Sequence, residues 1–228
     1  MKRFINLLIV LLTIILIGID LIFAIVPNIR LNTVITISCY TIPAILILFT
    51  MIIQIKISKS KEEKNIIKEF WIKVLFIIYC ILLIRILFLS NEYRTNKTLS
   101  FSFDKLFSKE HLEINNIIPF GTLTSYIYKI INHKINTNIV VVNVFVNLIL
   151  LTPMGFFIPM LFKEKIKNMK QFLLLILLIT VSIEILQFLT LSGTFDIDDI
   201  ILNTFGAILS YMFINTKIIK KLFVKVFE

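Results

Sequence analysis

The sequence predicts an all-α protein, a polytopic membrane bundle of about six transmembrane helices. Of its 228 residues, 58% are hydrophobic, whereas soluble domains contain roughly 45–50%, and the mean hydropathy is +0.95. Apolar stretches of about 20 residues recur along the chain, and each is long enough to cross a bilayer core of about 30 Å as a helix. Together these observations exclude an ordinary soluble domain.

Six apolar stretches define the predicted spans. The first is too long for the apolar core of a signal peptide and lacks a small-residue cleavage site before Pro27, so we expect it to remain as a span. Pro43 is expected to kink the second helix. The predicted spans are residues 4–26, 33–55, 70–90, 139–162, 171–191 and 197–215, with a turn at 27–32 and a long loop at 91–138.

The basic residues are unevenly distributed and predict the topology. They are concentrated at the N-terminus, in the links at residues 56–69 and 163–170, and in the tail after the sixth span. All four regions fall on one side of a six-span chain, and Lys and Arg prefer the cytoplasmic side. Both termini are therefore predicted to be cytoplasmic. The net charge of +10 is then a topology signal, and no nucleic-acid site is predicted.

The cysteines and histidines do not suggest a metal site. Cys39 and Cys80 lie within apolar stretches, where small buried hydrophobic side chains are the expected interpretation. His111 and His133 lie in the long loop without a second histidine at ligand spacing. Both are predicted to be solvated loop residues.

Polar residues interrupt the last two spans in a helical pattern. Glu184 and Gln187 are three residues apart, and Asp196, Asp199 and Asn203 follow at spacings of three and four. Each set falls along one helix face. Because a carboxylate within a lipid-spanning segment is costly, it marks a functional site or a paired bundle interior. The two spans are predicted to form a hairpin whose polar faces meet.

Further polar residues lie at the same depth on the outer side of the predicted bundle. Asn143 and Asn147 are four residues apart in the outward half of the fourth span. Asp20 and Arg85 are each about a turn and a half from the outer ends of their spans. At the mouth of the sixth span, either Asp196 or Asp198 can cap that helix, and for Asp198 this capping role is the preferred interpretation.

The long outer loop contains a second organised segment. Pro119 and Gly121 interrupt regular structure, and residues 122–131 have an amphipathic pattern. They predict a short helix in the membrane interface, with Tyr126 and Tyr128 at headgroup level. The alternative is an ordinary loop whose hydrophobic patch packs on the bundle.

Over about residues 85–211 the chain resembles the VanZ-like family. Several motifs carry the resemblance in the family's order: Arg85, Asn116-x-x-Pro119-Phe120, Asn143 with Asn147, Pro153-x-Gly155, Glu184-x-x-Gln187, and Phe195-Asp196-Ile197-Asp198-Asp199 with Asn203 and Gly206. Family members often have an arginine where this chain has Gly193-Thr194, and a glycine where it has Val146. If that arginine neutralises the acidic cluster, this chain must use Arg85, a metal ion or protonation instead.

The resemblance implies a membrane protein linked to low-level resistance to teicoplanin, a glycopeptide with a lipid tail, but it supplies no reaction. It also suggests three regions. Residues 1–69 would form a two-helix membrane scaffold with a basic cytoplasmic link, residues 70–216 a VanZ-like membrane domain, and residues 217–228 a basic cytoplasmic tail.

The first functional hypothesis is an acidic site at the outer membrane face that binds or modifies a lipid-linked or cell-envelope molecule. Glu184 and Asp199 are the candidate catalytic residues, since a carboxyl group in a bundle suits general acid or base chemistry. With Asp196 they could instead hold a divalent cation. The candidate binding residues are Arg85, Asn116, Asn143, Asn147, Gln187, Asp196 and Asn203.

Two other classes of function stay open. In a non-catalytic protein the polar groups would only tie helices together, Arg85 would pair with Asp20 or Glu184, and the protein would act by binding or steric exclusion of a lipoglycopeptide. A small transporter is disfavoured, because the sequence has no internal repeat and no pair of broken helices. Phosphate-binding loops, zinc-protease motifs and nucleophile elbows are absent from the sequence.

Overall fold

A computed structural model describes residues 2–25, 33–89 and 103–216. These ranges contain ten α-helices and no β-strand. Three predicted segments lie outside these ranges: the turn at 27–32, residues 91–102 of the long loop, and the tail after residue 216. The helices are α1 (Lys2–Ile25), α2 (Thr33–Ile57), α3 (Lys61–Leu89), α4 (Phe103–Leu106), α5 (Lys109–Glu113), α6 (Gly121–Ile131), α7 (Thr137–Leu150), α8 (Met154–Leu161), α9 (Met169–Leu189) and α10 (Ile197–Ile214).

The prediction of an all-α bundle with six spans is confirmed. Six helical stretches are long and apolar enough to cross a membrane, and all six overlap the predicted spans. They are Phe4–Ile25, Val34–Ile57, Lys61–Leu89, Thr137–Leu161, Met169–Leu189 and Ile197–Ile214. α2 continues through Pro43. Cys39 is buried, as expected, whereas Cys80 is only partly buried.

The third helix starts nine residues before its predicted apolar span. α3 begins at Lys61, and Glu62 and Glu63 lie in its first turn, where acidic side chains complement the helix dipole. The Ser60 hydroxyl accepts a hydrogen bond from the Glu63 amide at 3.1 Å, and Glu69 pairs with Lys73 one turn later. The charged segment predicted as a link is therefore mostly helical.

The fourth span is interrupted at Pro153. α7 ends at Leu150, and α8 begins at Met154. Pro153 has no backbone N–H and cannot continue the hydrogen-bond ladder of α7, while its fixed φ, here −61°, suits a helix start. Leu151 is fully buried at this break.

The described helices belong to two compact units, one within Met1–Glu92 and the other within Tyr93–Lys221. The first contains α1–α3, which pack on one another. In its core the Trp71 indole donates to the Gln54 side chain at 3.1 Å, and Gln54 donates to Asn6 at 2.6 Å. The predicted domain boundary at residue 70 stays a prediction, although compactness groups α3 with α1 and α2.

The second unit is built around α10, which packs against α7, α8 and α9. Two glycines permit these contacts. At Gly206 a Cβ would lie 1.7 Å from the carbonyl oxygen of Leu148 in α7, and at Gly155 it would lie 2.6 Å from the amide nitrogen of Tyr211. Small residues of this kind let membrane helices approach backbone to backbone. This packing fixes where the first turn of α10 lies relative to α7 and α9.

Candidate functional site

The loop before α6 is joined to the start of α10 by backbone pairing. The Asn116 amide donates to the Phe195 carbonyl at 2.9 Å, and the Ile197 amide donates to the Asn116 carbonyl at 3.0 Å. Together these bonds form an isolated parallel bridge between Asn116 and Asp196. The Asn115 side chain also accepts from the Phe195 amide at 2.6 Å. The Asn-x-x-Pro-Phe segment and the Phe-Asp segment therefore form one local structure.

Asp196 is the centre of this structure. Its carboxylate caps α10 by accepting from the Asp198 amide at 2.9 Å. It also accepts from the Asn116 side-chain amide at 2.9 Å and from the Thr122 hydroxyl at 2.6 Å. The Asp196 amide donates to the Glu184 carboxylate at 3.0 Å. Both oxygens of Asp196 are thus occupied by protein donors.

Asp198 caps a different helix from the one predicted. α10 is capped by Asp196, one of the two residues predicted for this role, and the preferred assignment of the cap to Asp198 is wrong. The buried Asp198 carboxylate accepts from the backbone amides of Phe120 and Leu123, the second at 3.0 Å. Phe120, the N-cap residue of α6, provides no side-chain cap and has a φ of 64°. Asp198 therefore supplies from α10 the acceptor that α6 lacks.

Hydrogen bonds from protein groups stabilise much of the negative charge of the acidic cluster, which consists of Glu184, Asp196, Asp198 and Asp199. Asp196, Asp198 and Glu184 accept bonds from backbone amides and neutral side chains, in the way that carboxylates at helix N-termini do. The expected substitutes for the missing arginine were Arg85, a metal ion or protonation. The backbone amides at the start of α6 and α10 also stabilise these carboxylates, and the sequence does not reveal this contribution.

Asp199 is placed differently from its acidic neighbours. It is half-buried, and one carboxylate oxygen accepts from the Asn147 side chain of α7. The other oxygen has no hydrogen-bond partner among residues 2–25, 33–89 and 103–216. One turn further along α7, the Asn143 amide donates to the Tyr126 hydroxyl of α6 at 3.3 Å. The predicted asparagine pair therefore links α6 to α10 through α7.

Asn203 lies one turn below Asp199 on the same face of α10. It is 5% exposed, and its side-chain oxygen has no hydrogen-bond partner in the described part of the chain. A buried polar atom without a partner costs roughly 1–3 kcal/mol. Such an atom beside a half-satisfied carboxylate marks a place where a ligand group or water can bind.

Gln187 closes the turn between α9 and α10. Its backbone carbonyl accepts from the amides of Ser192 and Gly193, at 3.1 and 3.4 Å. Leu191 takes a left-handed conformation in the same turn, with a φ of 52°. α9 and α10 also pack against each other, so the predicted hairpin is present, with Gln187 in the last turn of α9.

Arg85 has a partner within the first unit. Its Nε donates to the Asp20 carboxylate at 3.1 Å, and the Tyr40 hydroxyl donates to the same carboxylate oxygen at 2.9 Å. This is one of the two pairings expected for Arg85 if it has a structural role. The trio connects α1, α2 and α3.

The described residues contain no cluster of side chains that would support the divalent-cation hypothesis. Throughout the described ranges, no three His, Cys, Asp or Glu side chains are arranged to hold a metal ion. The hypothesis named Asp196, Asp199 and Glu184. Asp196 directs its oxygens at hydrogen-bond donors, and Glu184 is bound to the Asp196 amide.

His111 was wrongly predicted to be solvated. It is 9% exposed and stacks on Phe188 of α9, with ring centroids 4.9 Å apart. α5, which carries it, is capped by Ser108, whose hydroxyl accepts from the His111 amide at 3.3 Å. His133 is exposed, as predicted. A single helical turn packed onto a distant helix leaves no periodic pattern, so the sequence offered no signal for His111.

Comparison with known proteins gives one family. The family model described as VanZ/LLP1 matches residues 76–220, which is more than half of the chain. The match begins inside α3 and includes every helix of the second unit. Neither a curated protein nor a solved structure gives a significant match.

Proposed function

Because the chain belongs to the VanZ/LLP1 family, we propose that this multi-pass membrane protein acts in teicoplanin resistance by binding a lipid-linked or lipidated cell-envelope molecule. The observation that carries the proposal is the incomplete hydrogen bonding of the Asp199 carboxylate. Its carboxylate has one oxygen without a partner among the described residues, and Asn203 contributes a buried oxygen that also lacks one. The site thus offers acceptors for hydroxyl or amide groups of a ligand.

The remaining acidic residues have positioning roles in this proposal. Glu184 holds the Asp196 amide, Asp196 holds Asn116 and Thr122, and Asp198 holds the start of α6. Since these groups are engaged, binding is better supported than acid–base catalysis by Glu184. Asn147 orients Asp199, and one turn away on α7 Asn143 donates to the Tyr126 hydroxyl.

The surface around the site suits a ligand anchored in lipid. Ile117, Ile118 and Phe120 lie on the loop before α6 and are 57–73% exposed. On α6 itself Ile127, Tyr128 and Ile131 are also exposed. Large exposed apolar side chains next to membrane-spanning helices favour contact with acyl chains or the interface. A molecule with a lipid tail and a polar head would meet both surfaces.

The proposal places this site on the outer side of the membrane, which thiol labelling can test. Single cysteines would replace Thr194, in the hairpin turn, and Lys165, in the link between α8 and α9. A membrane-impermeant maleimide added to intact cells is expected to label the cysteine at 194 and not the one at 165. The parent chain with only Cys39 and Cys80 is the control. Labelling at 165 alone would place the site on the cytoplasmic side.

Susceptibility to teicoplanin tests the function. In a sensitive Gram-positive host, the wild-type chain is expected to raise the inhibitory concentration of teicoplanin several-fold and to leave that of vancomycin unchanged. Asp199→Asn should abolish the increase, because the amide cannot provide a carboxylate to the ligand. Asp104→Asn, at an exposed position in α4, is the matched control and should protect like wild type. All chains are compared at equal membrane levels.

The outcomes separate the parts of this proposal. Protection by both wild type and Asp199→Asn would remove Asp199 from the site while retaining the resistance role. If the wild-type chain itself gives no protection, the proposed function is wrong.

A further inference from the structure

Asp20, Tyr40 and Arg85 lie at one level of the first unit, near the same end of α1, α2 and α3. Each is within about two helical turns of that end, which corresponds to roughly 10 Å or less along the axis. This depth is near the boundary between hydrocarbon and headgroups. Asp20 and Tyr40 precede the part of the chain that matches the family model.

The hydrogen bonding of the trio is incomplete. One oxygen of Asp20 accepts from both the Tyr40 hydroxyl and Arg85 Nε, while the other oxygen has no partner in the described ranges. Asp20 is 0% exposed, so this oxygen is fully buried. The two terminal amino groups of Arg85 also make no hydrogen bond to a described residue, and its side chain is 17% exposed.

These groups without hydrogen-bond partners indicate which chemical groups a ligand would need. The terminal amino groups of a guanidinium form a planar fork that matches two oxygens of a phosphate. The buried oxygen of Asp20 requires a donor, such as a hydroxyl group. A bound phosphate would share the positive charge of Arg85 with Asp20, which is already bonded to Nε. A phosphodiester with a nearby hydroxyl meets both requirements.

We propose that Arg85 and Asp20, positioned by Tyr40, bind the phosphate and a hydroxyl of a glycerol phosphate headgroup in the adjacent membrane leaflet. The Tyr40 hydroxyl keeps one Asp20 oxygen fixed and thereby directs the other toward the ligand. The alternative source of the same chemistry is soluble glycerol phosphate. Asp199 is not among the residues of this site, so the lipid-binding proposal can fail while the resistance experiment on Asp199 succeeds.

The test uses the purified full chain in nanodiscs of phosphatidylcholine alone or with phosphatidylglycerol or phosphatidic acid. Phosphatidylglycerol is expected to raise the unfolding midpoint and to be retained in native mass spectrometry. Phosphatidic acid, which has the phosphate without the glycerol hydroxyls, should be retained less. The double variant Asp20→Asn with Arg85→Gln should weaken retention at least about tenfold, because bonds to charged groups are lost.

Two further variants keep the result interpretable. Lys73→Gln removes an exposed positive charge from the same helix and should retain the lipid like wild type. Arg85→Lys keeps the charge without the fork and should bind about tenfold more weakly, so it serves if the double variant does not fold. Competition by soluble glycerol phosphate would support the chemistry and assign a soluble ligand. Equal retention by the double variant, or no wild-type preference over phosphatidylcholine, would overturn the proposal.

Discussion

Replacing Gly206 with alanine is expected to prevent α10 from packing on α7. The added Cβ would lie 1.7 Å from the Leu148 carbonyl oxygen and 2.8 Å from its carbonyl carbon. These are backbone atoms of a helix, so no side chain can rotate away, and one helix must shift as a whole. Overpacking of a core typically costs about 1–3 kcal/mol, and we expect the upper end of that range or more.

Thermal unfolding of the detergent-solubilised chain measures this effect. Gly18→Ala is the matched control, because nothing lies within 4 Å of its Cβ position in α1. Alanine is favoured over glycine in a helix by about 1 kcal/mol, so this control should be neutral or slightly stabilising. If Gly206→Ala unfolded at the same temperature as Gly18→Ala, the close contact of α7 with α10 would be wrong.

The second large effect is expected from Asp198→Ala, which should release the start of α6. The carboxylate of Asp198 is 1% exposed and accepts the amides of Phe120 and Leu123. Each bond to a charged acceptor contributes roughly 1.5–3 kcal/mol, and α6 has no side-chain cap of its own. The local opening free energy of α6 should therefore fall by about 2 kcal/mol or more.

Hydrogen–deuterium exchange at residues 120–124 is the direct measurement. A loss of about 2 kcal/mol corresponds to exchange roughly thirtyfold faster, since 1.36 kcal/mol is a factor of ten. Exchange in the middle of α9 should not change, which shows that the fold persists. Asp104→Ala, at an exposed acidic position, should leave both regions unaffected. Unchanged exchange at Phe120 in Asp198→Ala would exclude the cap.

Hydropathy was sufficient to find the spans and could not find their ends. The apolar stretches of α9 and α10 matched because lipid solvation requires about 20 apolar residues regardless of tertiary contacts. The start of α3 was predicted nine residues late, since its first turns carry charges that are stabilised by the helix end and by pairing along the helix. The predicted link at residues 56–69 was identified from its charged residues alone, and charged residues do not exclude a helix.

The candidate site was found by residue type, whereas the partners within it were not. The free-energy cost of placing a carboxylate within a membrane span drew attention to Glu184, Asp196 and Asp199. Helical spacing paired Asn143 with Asn147. Asp198 could not be assigned, because its partners are backbone amides 75 and 78 residues earlier in the chain. Backbone amides have no side-chain identity, so no sequence pattern marks them.

The cap that Asp198 provides to α6 also has a consequence for biosynthesis. Phe120 leaves the ribosome 78 residues before Asp198, which at about 5–20 residues per second is a delay of roughly 4–16 s. During that interval α6 has no acceptor at its first turn and must rely on its own weak tendency to form a helix. The contact between α6 and α10 is therefore completed only after α10 has been synthesised and inserted.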